Sequence, residues 1–217
     1  MERELNQNPS QKMRIGDLAS DPLMIDMRQS IDHFDAAFLH LLSERMRLVY
    51  KIIALKLNQG IDLQQSDARK EDMKALIEKS VQLSLEPHFF QKILDLVFQD
   101  AMMQYEQKAS ASRLQGPASG SSFLSLAELR KSLLNLDNAL CYILAERFCV
   151  VKKIGRYKED LNIPPLDPVR WQQVLDNKAE AAQQHGISVS LVKEIFNAIH
   201  EVALVIEEDI KTPQTGS

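Results

Sequence analysis

Two stretches decide the fold: Met27–Lys56, MRQSIDHFDAAFLHLLSERMRLVYKIIALK, and Leu129–Lys158, LRKSLLNLDNALCYILAERFCVVKKIGRYK. Neither contains proline, and the first contains no glycine, so each reads as one uninterrupted helix. Laid over one another without a gap, they match at an offset of 102 residues: Arg28 with Arg130, Asp35 with Asp137, Glu44 with Glu146, Arg45 with Arg147 and Lys56 with Lys158. Further on, Arg69 pairs with Arg170 at an offset of 101, and Leu85 with Ile187 at 102 again, so only the loops slip. The chain reads as a duplication.

Punctuation outside these stretches supports that reading. Asp21 as N-cap and Pro22 at the first helical position open a helix that Gly60 ends, about 55 Å long at 1.5 Å per residue. Two shorter helices follow, from about Ser66 to Leu83 and from Pro87 to about Lys108. The segment from Lys108 to Ser122, KASASRLQGPASGSS, is small, polar and broken by proline and glycine, as a linker is. Ser125 and Glu128 then form a capping box, Pro164, Pro165 and Pro168 mark the next boundary, and Gly186 precedes a last helix ending near Ile210. The expected organisation is an extension over 1–22, a repeat over 23–107, a linker over 108–123, a second repeat over 124–211 and a tail over 212–217.

Composition narrows the class. Of 217 residues, 45% are hydrophobic and 26% charged, as in a globular chain, and 7 glycines with 6% aromatics leave little material for sheets. A net charge of −4 argues against a nucleic-acid footprint. No run of about 18 apolar residues is present, and the N-terminal stretch lacks the apolar core of a signal peptide, so the expectation is a cytoplasmic helical protein without a membrane partner. Cys141 and Cys149, eight apart on one helix, do not suggest a disulfide and fit a reducing compartment. The five histidines share no metal-ligand spacing, and neither a phosphate loop nor a nucleophile elbow occurs, so no metal or cofactor is expected.

A seam at spacings of 3 and 4 runs down each long helix: Met24, Met27, Ile31, Phe34, Phe38, Leu41, Arg45, Leu48, Ile52, Leu55 in the first and Leu126, Leu129, Leu133, Leu136, Leu140, Ile143, Arg147, Val150, Ile154, Tyr157 in the second. Such a period demands a long helical partner, and each seam is the other's best match in length. Antiparallel pairing carries Arg28 toward Lys158 and Arg130 toward Lys56. The single charged position in each seam is Arg, which must be neutralised by an anion. Lys56 and Lys158 lie eleven residues beyond their Arg, about 20° from whole turns, so each faces nearly the same way. Two sources of negative charge are open: buried carboxylates such as Asp35 or Asp137, and a bound anion, which repetition of the whole Arg–Lys pair favours.

These motifs resemble those of the all-helical, type II chorismate mutases. That family has a Leu-Arg pair, a central Ala-Glu-Arg, a Lys eleven residues on, and an Asp-x-x-Arg-Glu motif entering the second helix. The first half reads Met27-Arg28, Ser43-Glu44-Arg45, Lys56 and Arg69; the second reads Leu129-Arg130, Ala145-Glu146-Arg147, Lys158 and Asp167-Pro168-Val169-Arg170. The resemblance implies an all-α fold of two fused three-helix repeats forming an intertwined pseudo-dimer, needing no cofactor and taking a small dianionic substrate. It implies one site of Arg45, Lys56 and Arg69 with Arg130 from the other half, and a second of Arg147, Lys158, Asp167 and Arg170 with Arg28 reaching across.

Several family positions are altered. The Glu after the loop Arg is Lys70 or Trp171, the loop Asp is Ser66 in the first half, and a third-helix Ser is Ala101 or Ala203. The family's Gln, a donor to the substrate ether oxygen, aligns with Tyr105 and Glu207. Glu207 shares the inward face of the last helix with Val192, Ile195, Ile199 and Ala203, yet it also opens the acidic run Glu207-Glu208-Asp209, which reads equally as a solvated helix end. By resemblance, Lys158, Glu207 and Lys56 are the catalytic candidates, and the activity is rearrangement of chorismate to prephenate. Isochorismate–pyruvate lyase chemistry and a non-catalytic repeat binding an anionic ligand or a protein partner are the alternatives.

Overall fold

A computed structural model of the chain describes residues 17–61, 67–112, 125–164 and 168–211. After a short 3-10 turn at Asp17–Ala19 come six helices: α1 (Pro22–Asn58), α2 (Asp67–Gln82), α3 (Pro87–Ser112), α4 (Leu126–Asp160), α5 (Pro168–His185) and α6 (Val189–Lys211). No strand occurs among the described residues. The caps form as the sequence indicates. Asp21 accepts from the Met24 amide at 2.7 Å, and Ser125 and Glu128 close a reciprocal capping box at the head of α4. Gly60 and Gly186, both at φ +67°, supply the left-handed residue that ends a helix. The helix α3 runs on to Ser112, four residues past the expected boundary at Lys108, because KASAS contains no breaker. The rest of the expected linker lies outside the described residues.

α1 and α4 make the most extensive helix–helix contact, and they are antiparallel. Arg45 pairs with Asp137, Arg147 with Asp35, and the Tyr157 hydroxyl donates to Asp21 Oδ2 at 3.1 Å, so the end of each helix lies beside the start of the other. The short second helices cross over: α2 packs on α4 as well as on α3, and α5 on α1 as well as on α6. Each half thus completes its core with the other half's long helix, the intertwining the duplication implies.

The buried stripe is wider than the expected seam. Leu41, Leu48, Ile52 and Leu55 are only half-buried, whereas Leu42, Met46, Val49 and Ile53 are fully enclosed. A spacing of alternating 3 and 4 describes contact with one partner. Here each long helix is covered on several sides, so neighbouring positions are drawn inward. Nor is Arg the single charge enclosed in each long helix: Asp35, Asp137 and Lys56 are buried too. A second, smaller core of Leu18, Met24, Met27, Ile154 and Ile163 closes the end where α1 starts and α4 finishes.

Candidate functional site

Two clefts lie along the α1–α4 seam, one in each half. Their common element is an ion pair between the halves. Arg45 on α1 donates through Nε to Asp137 Oδ1 on α4, and through Nη2 to Oδ2 at 3.3 Å. Arg147 on α4 donates through Nε to Asp35 Oδ1 on α1 at 2.7 Å. All four side chains are buried, so the buried-carboxylate reading of the seam arginines is correct. It does not exhaust their capacity, since a guanidinium carries five N–H donors. Arg45 Nη1 is a buried donor with no acceptor among the described residues, and both guanidinium groups line their clefts.

The first cleft, of about 110 Å³, brings together Arg45, Lys56 and Arg130 of the expected set. Lys56 is 5% exposed, an enclosure that a cation tolerates only beside negative charge. Arg69 lies in the first turns of α2, but its side chain is outside the described residues. The remaining walls are largely apolar, with Val49, Ile53, Leu76, Phe98 and Leu134. Asp72, which the sequence reading passed over, also lines this cleft. Burial pushes the Asp137 carboxyl up; Arg45 opposes the rise and Asp72 adds to it. Neither Ala101 nor Tyr105 is among the residues that line the cleft.

The second cleft, of about 160 Å³, gathers Arg28, Arg147, Lys158, Arg170 and Glu207. Asp167 lies outside the described residues. Glu207 faces inward: it is 9% exposed, and its Oε2 accepts from Lys158 Nζ at 2.8 Å. The solvated-helix-end reading fails, because the residue sits on the apolar face of α6 rather than among the charges that follow it. Burial lifts the Glu207 carboxyl above its ordinary value, while Lys158 and then Lys211 pull it back. A buried acid held in that balance can keep a proton and donate it, which a carboxylate cannot.

Further groups shape this cleft that the sequence reading did not single out. His200, half-buried on α6, stacks on Trp171 with centroids 3.8 Å apart and planes 10° apart. Burial, with Arg147 and Lys158 nearby, holds its imidazole below the ordinary value and so favours the neutral form. Lys178 is buried on α5, with Nζ 3.0 Å from Asp35 Oδ2, though off the line of a hydrogen bond. Asp32 stands 3.9 Å from Arg170 and 3.7 Å from Lys178. A buried Lys one helix away from its carboxylate has no local sequence signal. Residue 102 earlier is Leu76, so the repeat comparison flags position 178 only as a mismatch.

Taken together, the second cleft offers guanidinium groups for carboxylates, an ammonium, and an inward acid. No group of three or more His, Cys, Asp or Glu among the described residues is placed to hold a metal ion. Cys141 is buried, with its thiol pushed up to about 11, and Cys149 is exposed; both are free. No helix of the described residues is long and apolar enough to cross a membrane.

Comparison with known proteins agrees with the duplication. Residues 27–106 and 129–208 each match the family described as chorismate mutase type II. A chorismate mutase of Methanocaldococcus jannaschii is 30% identical over 76 residues, which is 35% of this chain and 77% of that protein. No solved structure gives a significant match. Two tandem matches covering most of the sequence, on an intertwined helical frame, make the chain a member of the type II chorismate mutase family.

Proposed function

We propose that the chain rearranges chorismate to prephenate, and that the second cleft carries most of the turnover. The observation behind this is the convergence of Arg147, Arg170 and Lys158 with Arg28 from the other half in one cleft that also receives Glu207. Chorismate bears two carboxylates and reacts by a pericyclic step, with no covalent intermediate to form. The protein's part is to hold the reactive conformer and to stabilise charge growing on the ether oxygen as its C–O bond breaks. Arg147, Arg28 and Arg170 supply planar, bidentate donors for the carboxylates. Lys158 donates to the ether oxygen, and protonated Glu207 gives the second donor there.

The cleft in the first half gathers Arg45, Lys56 and Arg130, with Arg69 joining them only by resemblance, and among the described residues no third-helix donor lines it. Its share of turnover is small in this reading. Trp171, where the family carries the Glu that accepts from the substrate hydroxyl, favours one second reading: isochorismate–pyruvate lyase chemistry in the same cage. Parallel turnover assays with chorismate and isochorismate test both. Prephenate from chorismate supports the leading reading, salicylate and pyruvate from isochorismate the second. Binding of either substrate without turnover would leave an anion-binding repeat.

A further inference from the structure

Glycine is a poor choice inside a long helix, since it has the most backbone freedom to lose and no side chain to pack. Gly155 nevertheless stands in α4, three residues before Lys158, and its φ is not positive, so no unusual dihedral calls for it. What calls for it is a close approach. A Cβ at this position would meet Ile210 Cδ1 at 2.8 Å, Glu207 Cγ at 3.2 Å and Glu207 Cα at 3.5 Å. The Ile210 side-chain tip and the Glu207 Cγ occupy the notch, with the Glu207 Cα in ordinary contact beside them, and from there Glu207 Oε2 reaches Lys158 Nζ at 2.8 Å.

The other half lacks the notch. The residue 102 earlier is Ile53, 2% exposed, with its side chain enclosed in the core. Contact between α3 and α1 is less extensive than that between α6 and α4. Ala203 and Glu207 line the second cleft, whereas their counterparts Ala101 and Tyr105 are not among the residues lining the first.

We propose that Gly155 is a positioning residue that decides which half works: its missing side chain lets α6 settle on α4 closely enough to seat Glu207 against Lys158, and Ile53 denies α3 the same approach. Gly155 does not line the cleft and acts through Glu207 alone. The proposal rests on the reading of the second cleft as the mutase site, and its test separates the two.

Three variants of the full chain are compared with the unmodified one: Gly155→Ile, which copies the first half, Gly155→Ala, and Gly155→Ala with Ile210→Ala. With chorismate, Gly155→Ile lowers kcat at least about tenfold while KM stays within about threefold. Gly155→Ala has a smaller effect in the same direction, and Ile210→Ala returns it to within about twofold by removing the nearest clash. A purely local effect on the helix would not be rescued at Ile210, because Ala is the better helix former.

Titration of the Glu207 side chain by NMR reads the geometry without turnover. The titratable and charged groups around it are unaltered in these variants: Lys158 and Arg147 on α4, His200 and Lys211 on α6, Arg28, Asp32 and Asp35 on α1, and Arg170 on α5. In Gly155→Ile the carboxyl leaves its enclosure and titrates closer to an ordinary glutamate. An unshifted titration overturns the proposal, and so does a shifted titration with undiminished kcat. If Gly155→Ile does not fold, Gly155→Ala and its Ile210→Ala rescue decide in the same way. Absence of turnover in the unmodified chain refutes the mutase reading, and the titration then decides whether Gly155 seats Glu207.

Discussion

The two clefts start from one sequence pattern and finish with different contents. Both keep the Arg–Asp pair that joins the halves, Arg45 with Asp137 and Arg147 with Asp35. Around it the first cleft has Leu76, Phe98, Leu134 and Ile53, where the surroundings of the second cleft have Lys178, His200, Asp32 and Gly155 at the positions 102 residues on or back. The common part has a structural duty: each Arg neutralises a buried carboxylate of the other half, and a buried carboxylate stripped of its cations is costly. Retention of the cations is therefore weak testimony to catalysis in a given half. The groups contributed by the third helix distinguish the halves, because they have no such duty to the core.

The largest effect expected from breaking this comparison is on turnover. Arg147→Ala should lower kcat/KM for chorismate on the order of a thousandfold, since a charged donor is lost from an enclosed site. Arg45→Ala, assayed alongside, should cost far less activity in the folded protein. Equal losses in the two variants would mean that both clefts turn over substrate.

On stability the ranking reverses. Arg45→Ala strands the buried Asp137, a loss of about 3–5 kcal/mol in denaturant unfolding. Arg147→Ala should destabilise less, because Asp35 keeps Lys178 at 3.0 Å, where the first half has Leu76. A larger loss for Arg147→Ala would show that Lys178 does not share the charge of Asp35.

The next effect is on pH dependence. Burial raises the Glu207 pKa above its ordinary value. The protonated, donating form is therefore complete below that raised value and is lost as pH rises through it, so mutase activity should be highest in acid and fall toward neutrality. His200 does not confuse this limb through a raised value of its own, because its surroundings lower its pKa. Glu207→Gln supplies a permanent amide donor, flattens the fall and leaves a several-fold gain at neutral pH. An unchanged profile in that variant would remove Glu207 from the chemistry.

The smallest expected difference lies at the caps. Ser125→Ala should cost about 1 kcal/mol of stability through the lost capping box. Asp21→Ala should cost somewhat more, because Asp21 caps α1 and also accepts from Tyr157. Equal losses would mean that the Tyr157 contact contributes nothing.

Much of the fold was legible because its signals are local. Asp21, Ser125, Gly60 and Gly186 set helix ends through their own dihedrals and hydrogen bonds, and the offset of 102 fixed the duplication. Arg45 with Lys56, and Arg147 with Lys158, were legible as cations facing one way through their eleven-residue spacing, whereas Arg28, Arg130, Arg69 and Arg170 were marked by the family resemblance alone. The lateral extent of the core was not, because the pull of α2, α3, α5 and α6 on Leu42, Met46 and Val49 is a tertiary effect. Lys178 and His200 were illegible for a related reason: their partners lie on other helices, and a charged or aromatic residue on a helix face looks the same in sequence whether it is solvated or enclosed. Glu207 stood between two readings until the packing of α6 on α4 placed it.

The central claim is that one half of a duplicated cage performs the reaction. It is tested most directly by measuring kcat for chorismate in Lys158→Ala and Lys56→Ala, each confirmed folded by its unfolding curve. These two lysines are equivalent by sequence and differ only in the cleft they serve. The account predicts a loss of at least about a hundredfold for Lys158→Ala and less than about threefold for Lys56→Ala. A halving in each, or the larger loss at Lys56, would contradict it.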